Sequence, residues 1–146
     1  MKEPKLGWII PVLIVAANAL AILVRWPSLP EMLPAHFDLQ GNASGTMSRS
    51  MLLIYPAIGA AVCIIAYALS RRMSKPLLQL GLIILTSGIV LTILSSTLVT
   101  LTTGTMPVFM LAEPVILGIA LVSFIFCLIK ARINRGIERL NQRPVD

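Results

Sequence analysis

Long apolar runs separated by short polar connections dominate the chain. A hydrocarbon core about 30 Å thick is crossed by about 20 residues of helix, and runs of that order occupy residues 7–24, 51–70, 77–101 and 106–129. The first is the shortest. Trp8 and Trp26 bracket it at a rise of about 27 Å, which predicts an indole at each membrane interface. The rival reading is a signal peptide, with Lys2 and Lys5 before a short apolar core and Ala17-Asn18-Ala19 as a cleavage site. It is disfavoured because apolar sequence continues through Val24. Pro11, Pro56 and Pro114 fall near span ends, where a missing backbone donor costs least. The connections after the second and third spans are short, so neighbouring helices should run antiparallel. The pattern predicts an all-α fold: one membrane domain over 1–146, built as a four-helix transmembrane bundle. An ordered extracellular cap at 25–50 and a basic tail at 130–146 complete it.

Composition sharpens this. Of 146 residues 57% are hydrophobic and 12% charged, against about a quarter charged in soluble domains, so a water-soluble packed fold is excluded. The net charge is +6. Those cations flank apolar runs instead of forming a solvated basic face, which argues against nucleic acid and for lipid headgroups. Lys2, Lys5, Arg71, Arg72, Lys75, Lys130, Arg132, Arg135, Arg139 and Arg143 lie at the N-terminus, the second connection and the tail. The rule that cytoplasmic loops are rich in Lys and Arg puts all three inside and the 25–50 loop outside. The tail, with Ile133, Ile137 and Leu140 as a thin apolar stripe, reads as a helix on anionic lipid.

Two Cys and one His are too few for a disulfide scaffold or a Cys-rich metal module. Cys63 and Cys127 sit at different depths and read as small buried apolar residues. No ionisable residue falls in the middle of a span, which counts against a proton-coupled pump. Asn18 is the polar group of the first span and suits an interhelical hydrogen bond. Gly81, Gly88, Thr92, Ser96, Thr100 and Thr103 recur along one side of the third span, either as a packing face or as a polar groove for a lipid headgroup or peptide. Gly59 and Ala60, with Gly118 and Ser123, offer matching close contacts.

The 25–50 loop is the unusual segment. Pro27, Pro30 and Pro34 bar a continuous helix and favour an extended path turning at each proline. Gly41 and Gly45 flank Asn42, Ala43 and Ser44, the composition of a turn that needs positive φ. Leu29, Met32, Leu33, Phe37 and Leu39 supply apolar side chains to dock such a cap on the helix ends. Leu29-Pro30, Pro34, His36, Phe37, Gly41, Gly45, Ser48 and Arg49 follow, in order and spacing, a signature of Leu-Pro, Pro-x-His-Phe-Asn, Gly, and Pro-Asp-Gly-Trp-Gly-Ser-Lys. On these residues the loop resembles the small membrane domain of unknown function at the N-terminus of SdpI-like bacterial toxin-immunity proteins. Asp38 stands for the signature's Asn, Ala43-Ser44 for its Pro-Asp and Thr46-Met47 for its Trp-Gly. The resemblance implies a bacterial plasma-membrane protein and allows a role in immunity or in sensing an extracellular peptide.

His36 and Asp38, two apart in an extended segment, would project to one side. They either tie the cap down or take part in recognition. The expected partner-binding set is His36, Phe37, Asp38, Gly41, Asn42, Gly45 and Arg49. Zinc would require three of His36, Asp38, Glu31 and Glu113 to converge. The spacing from Asp38 to Arg49 fails the EF-hand pattern, and no cofactor is expected. A hydrolase of Ser44 or Ser48 with His36 and Asp38 lacks a nucleophile elbow, so catalysis has little support. The sequence thus points to a membrane binding module for a peptide or another membrane protein, with a lipid or small-molecule carrier and a structural subunit as alternatives.

Overall fold

The computed structural model describes the backbone of residues 5–37, 43–102 and 107–141. Four helices make up most of it: α1 (Ile9–Arg25), α2 (Ile54–Ser70), α3 (Pro76–Leu101) and α4 (Pro107–Asn141). Short 3₁₀ turns at Lys5–Trp8, Trp26–Ser28 and Arg49–Leu53 extend the ends of α1 and the start of α2. All four helices are long and apolar enough to cross a membrane, and their exposed side chains, such as Leu13, Leu20, Ile64, Ile119 and Phe126, are those a lipid surface accepts. The protein is a multi-pass membrane protein by this measure. The α2–α3 connection is closed by Gln79, whose Nε2 donates to the carbonyls of Met73 at 2.9 Å and Ser70 at 3.2 Å.

The helices do not surround a common centre. α1, α2 and α3 pack on one another, while α4 makes its interface with α3 and none comparable with α1 or α2 among the described residues. α3 is therefore the axis of the molecule. The expected four-helix bundle is a three-helix group with α4 against the far side of α3. At 35 residues α4 is about 52 Å long against about 39 Å for the 26-residue α3.

Missing side chains make the α3–α4 contact possible. A Cβ added to Gly88 would lie 2.3 Å from the Ala120 Cβ, and one added to Gly81 would lie 2.9 Å from the Cys127 Cβ. Gly81 and Gly88 are seven residues apart, as are Ala120 and Cys127. A seven-residue repeat on both partners keeps one stripe in contact along the pair, as in left-handed helix packing. The expected contact at Gly118 is not made: nothing lies within 4 Å of its added Cβ, because it sits two positions away from Ala120 and off the stripe. Gly59 does serve as expected, admitting a Val15 methyl to 3.0 Å of the Cβ position. Cys63 and Cys127 are both free and buried.

The all-α expectation needs one amendment, since part of the 25–50 loop is a β-hairpin. β1 (Met32–Phe37) pairs antiparallel with β2 (Ala43–Ser48), with Met32 opposite Ser48, Leu33 opposite Met47 and Phe37 opposite Ala43. The prolines take different roles from those expected: Pro27 lies in a 3₁₀ turn and Pro34 inside β1. Trp8 packs against neighbouring helices. It is turned into the protein beside Ala66, Leu82 and Ile83, edge-on to Tyr67 at 5.6 Å.

The α3–α4 stripe predicts that Gly81→Ala destabilises the protein by about 1–3 kcal/mol through overpacking. Gly118→Ala should be neutral or stabilising by up to about 1 kcal/mol through helix propensity. Unfolding in mixed detergent micelles checks both; equal effects at the two sites would contradict the register.

Candidate functional site

The hairpin is held to the helices by side chains that the strand period of two points inward. Leu33 and its cross-strand partner Met47 face the helix ends, while Met32 is exposed. Leu33 is buried with Leu29, Ile22 of α1, Leu52 and Leu101 of α3, and Trp26 and Tyr55 pack around them. Burying an aliphatic side chain of this kind contributes about 1.5–3 kcal/mol, so this cluster is what docks the hairpin. The neck is closed by backbone and charge. The Arg49 N–H donates to the Glu31 carbonyl at 2.9 Å, and the Arg49 guanidinium lies 5.4 Å from the Trp26 ring centroid, within cation–π range.

That bond between positions 31 and 49 also sets the phase of the ladder. In an antiparallel pair, hydrogen-bonded and non-hydrogen-bonded positions alternate. Positions 33 and 47 therefore bond inward, and Pro34, Thr46 and Ser48 present their backbone edges outward. Pro34 sits where its missing N–H costs no ladder bond, and it blunts the outer edge of β1. β1 also meets α3, whereas β2 contacts only β1 and the Arg49–Leu53 turn to a comparable extent. Among the described residues, the outer edge of β2 pairs with no further strand. Gly45, at φ 72°, interrupts the otherwise regular pairing.

Of the residues expected to bind a partner, His36 and Phe37 lie on β1 opposite Ser44 and Ala43, and Gly45 and Arg49 lie on and just after β2. Asp38, Gly41 and Asn42 lie outside the described residues, and with them the His36–Asp38 pairing and the complete metal set. Arg49 is engaged with Trp26 instead of projecting freely.

Residues 8–60 match a family described as a domain of unknown function (DUF1648). The match spans α1, the hairpin and the start of α2, so it covers the hairpin and its docking cluster apart from Leu101. α3 and α4 lie beyond it. No curated protein and no solved structure matches the chain.

Sequence reasoning missed a second polar feature. Glu113, expected as an outer-face ligand, lies six residues into α4, where the Ser96 Oγ of α3 donates to its Oε1 at 2.9 Å. Glu113 is seven residues before Ala120 and so continues the stripe that packs on α3. That spacing was the available signal. Five other hydroxyls of α3 close on their own helix: Thr86 donates to the Leu82 carbonyl, Ser87 to Ile83, Thr92 to Gly88, Thr97 to Ile93 and Thr100 to Ser96. These bonds favour the packing reading of the hydroxyl side over a polar groove.

Removing only the donor leaves the carboxylate short of a partner, so Ser96→Ala should destabilise by about 1–3 kcal/mol. The double variant Ser96→Ala with Glu113→Leu should recover much of that loss, because replacing both partners by apolar groups removes the unmet polar atom. Detergent unfolding of the set checks this; a neutral Ser96→Ala would show that the bond carries no stability.

Proposed function

We propose that the protein is a bacterial plasma-membrane binding module of the immunity or sensor type, which takes an extended peptide or a partner protein at its outer face. The observation that carries the reading is the unpaired outer edge of β2 on a hairpin anchored by Leu33 to the helix ends. An exposed strand edge accepts an extended chain by β-augmentation: main-chain hydrogen bonds supply affinity, and neighbouring side chains supply selectivity. In this reading Thr46 and Ser48 offer the backbone edge. His36, Phe37, Asp38, Gly41, Asn42, Gly45 and Arg49 form the surrounding recognition set.

Two further arguments support the proposal. Residues 29–49 resemble the corresponding loop of SdpI-like toxin-immunity proteins, which favours a toxin-like or signalling peptide as partner. The Lys and Arg distribution favours cytoplasmic termini and an outward hairpin, where such a peptide would arrive. A carrier using the hydroxyls of α3 is less well supported, because those groups are occupied by their own backbone.

Cells producing the protein should survive an antimicrobial-peptide panel better than cells producing Ser48→Pro or His36→Ala. Ser48 has φ −69°, so proline fits there without strain and removes one outward N–H while sparing the inward ladder. Equal survival of all three strains across the panel would end the proposal.

A further inference from the structure

A groove of about 410 Å³ runs between α1 and α3 on the hairpin side of the molecule. Ala17 and Ala21, one turn apart on α1, hollow it out; Leu98 and Leu101 of α3 form the facing wall, and Arg25 and Thr102 stand at its end. Its rim is open, because Leu20 and Val24 are exposed at 61% and 70%. Among the described residues α4 packs on α3 and makes no comparable contact with α1. The groove is independent of the β2 edge and of the function proposed for it.

We propose that this groove binds one anionic phospholipid, with an acyl chain along Ala17 and Ala21 and the phosphate at Arg25. Three observations lead there. An apolar hollow that opens toward lipid is filled, since an empty one would forfeit the dispersion contacts of its walls. Its length along α1 from Ala17 to Arg25 is about 12 Å, close to the roughly 15 Å of hydrocarbon in one leaflet. Arg25 is the last residue of α1 beside Trp26, the level at which headgroups lie. Its guanidinium forms no ion pair with an acidic side chain among the described residues, and a planar guanidinium matches the oxygens of a phosphodiester. A phospholipid satisfies both the apolar wall and the cation; a free phosphate or a detergent tail satisfies only one.

Native mass spectrometry of the full chain, extracted from bilayers of phosphatidylethanolamine and phosphatidylglycerol at 3:1, tests this. The wild type should retain one phospholipid, with phosphatidylglycerol enriched severalfold over its share of the bilayer. Ala17→Phe, which fills the hollow, should lose the retained lipid. Arg25→Gln should keep a lipid but lose the enrichment. Circular dichroism establishes folding; if Ala17→Phe does not fold, the headgroup preference of Arg25→Gln decides. No retained lipid, equal retention by folded Ala17→Phe, or undiminished enrichment in Arg25→Gln would each overturn the proposal.

Discussion

The structure depends on the near-contact of two backbones, α3 and α4, at positions where side chains are small or missing. In water, helices associate to hide apolar surface, but in lipid the surroundings are as apolar as leucine and that driving force disappears. Association then rests on packing, and packing improves as the axes approach. Gly88 against Ala120 and Gly81 against Cys127 permit that approach. Among the described residues α4 meets no other helix to a comparable extent, so these positions hold one of the four helices on the molecule.

The same solvent governs the polar groups. A hydroxyl in hydrocarbon without a partner is costly, and α3 meets this by turning Thr86, Thr92, Thr97 and Thr100 back onto its own carbonyls. Ser96 differs in crossing to Glu113, which places a directional bond where the glycine stripe ends. The Oδ1 of Asn18, buried on α1, has no hydrogen-bond partner among the described residues. The carbonyl end of that amide does not make the interhelical bond its sequence position suggested. Close packing along α3 and the docked leucines at its end support the hairpin, whose β1 strand occupies the side facing α3.

The spans were legible because about 20 consecutive apolar residues have few alternatives: the expected 77–101 became Pro76–Leu101, and 51–70 became the turn and helix over Arg49–Ser70. The hairpin was not legible as a hairpin. Three prolines obscured the alternation, and the inward pair Leu33 and Met47 lies on two strands whose pairing a linear reading does not display. Leu29 and Leu33 did dock as expected, while Met32, taken for a docking residue, points outward. The bond from Ser96 to Glu113 was missed because a carboxylate near a span end reads as solvent-facing and without a helix partner. Only its seven-residue step to Ala120 and Cys127 reveals which face it shares. Gly118 shows the converse, a small residue with the right composition and the wrong phase.

The most direct test of this account exchanges the methyl across the closest approach. Gly88→Ala alone places a Cβ against that of Ala120, whereas Gly88→Ala with Ala120→Gly leaves the added methyl 3.7 Å from the residue 120 Cα and 3.8 Å from the Ile116 carbonyl oxygen, ordinary contact distances. In a double-mutant cycle of unfolding free energies, the account predicts that the second substitution recovers most of the loss caused by the first, a coupling of about 1–3 kcal/mol. Simple additivity of the two losses would contradict it, because it would mean that the helices do not meet at these residues.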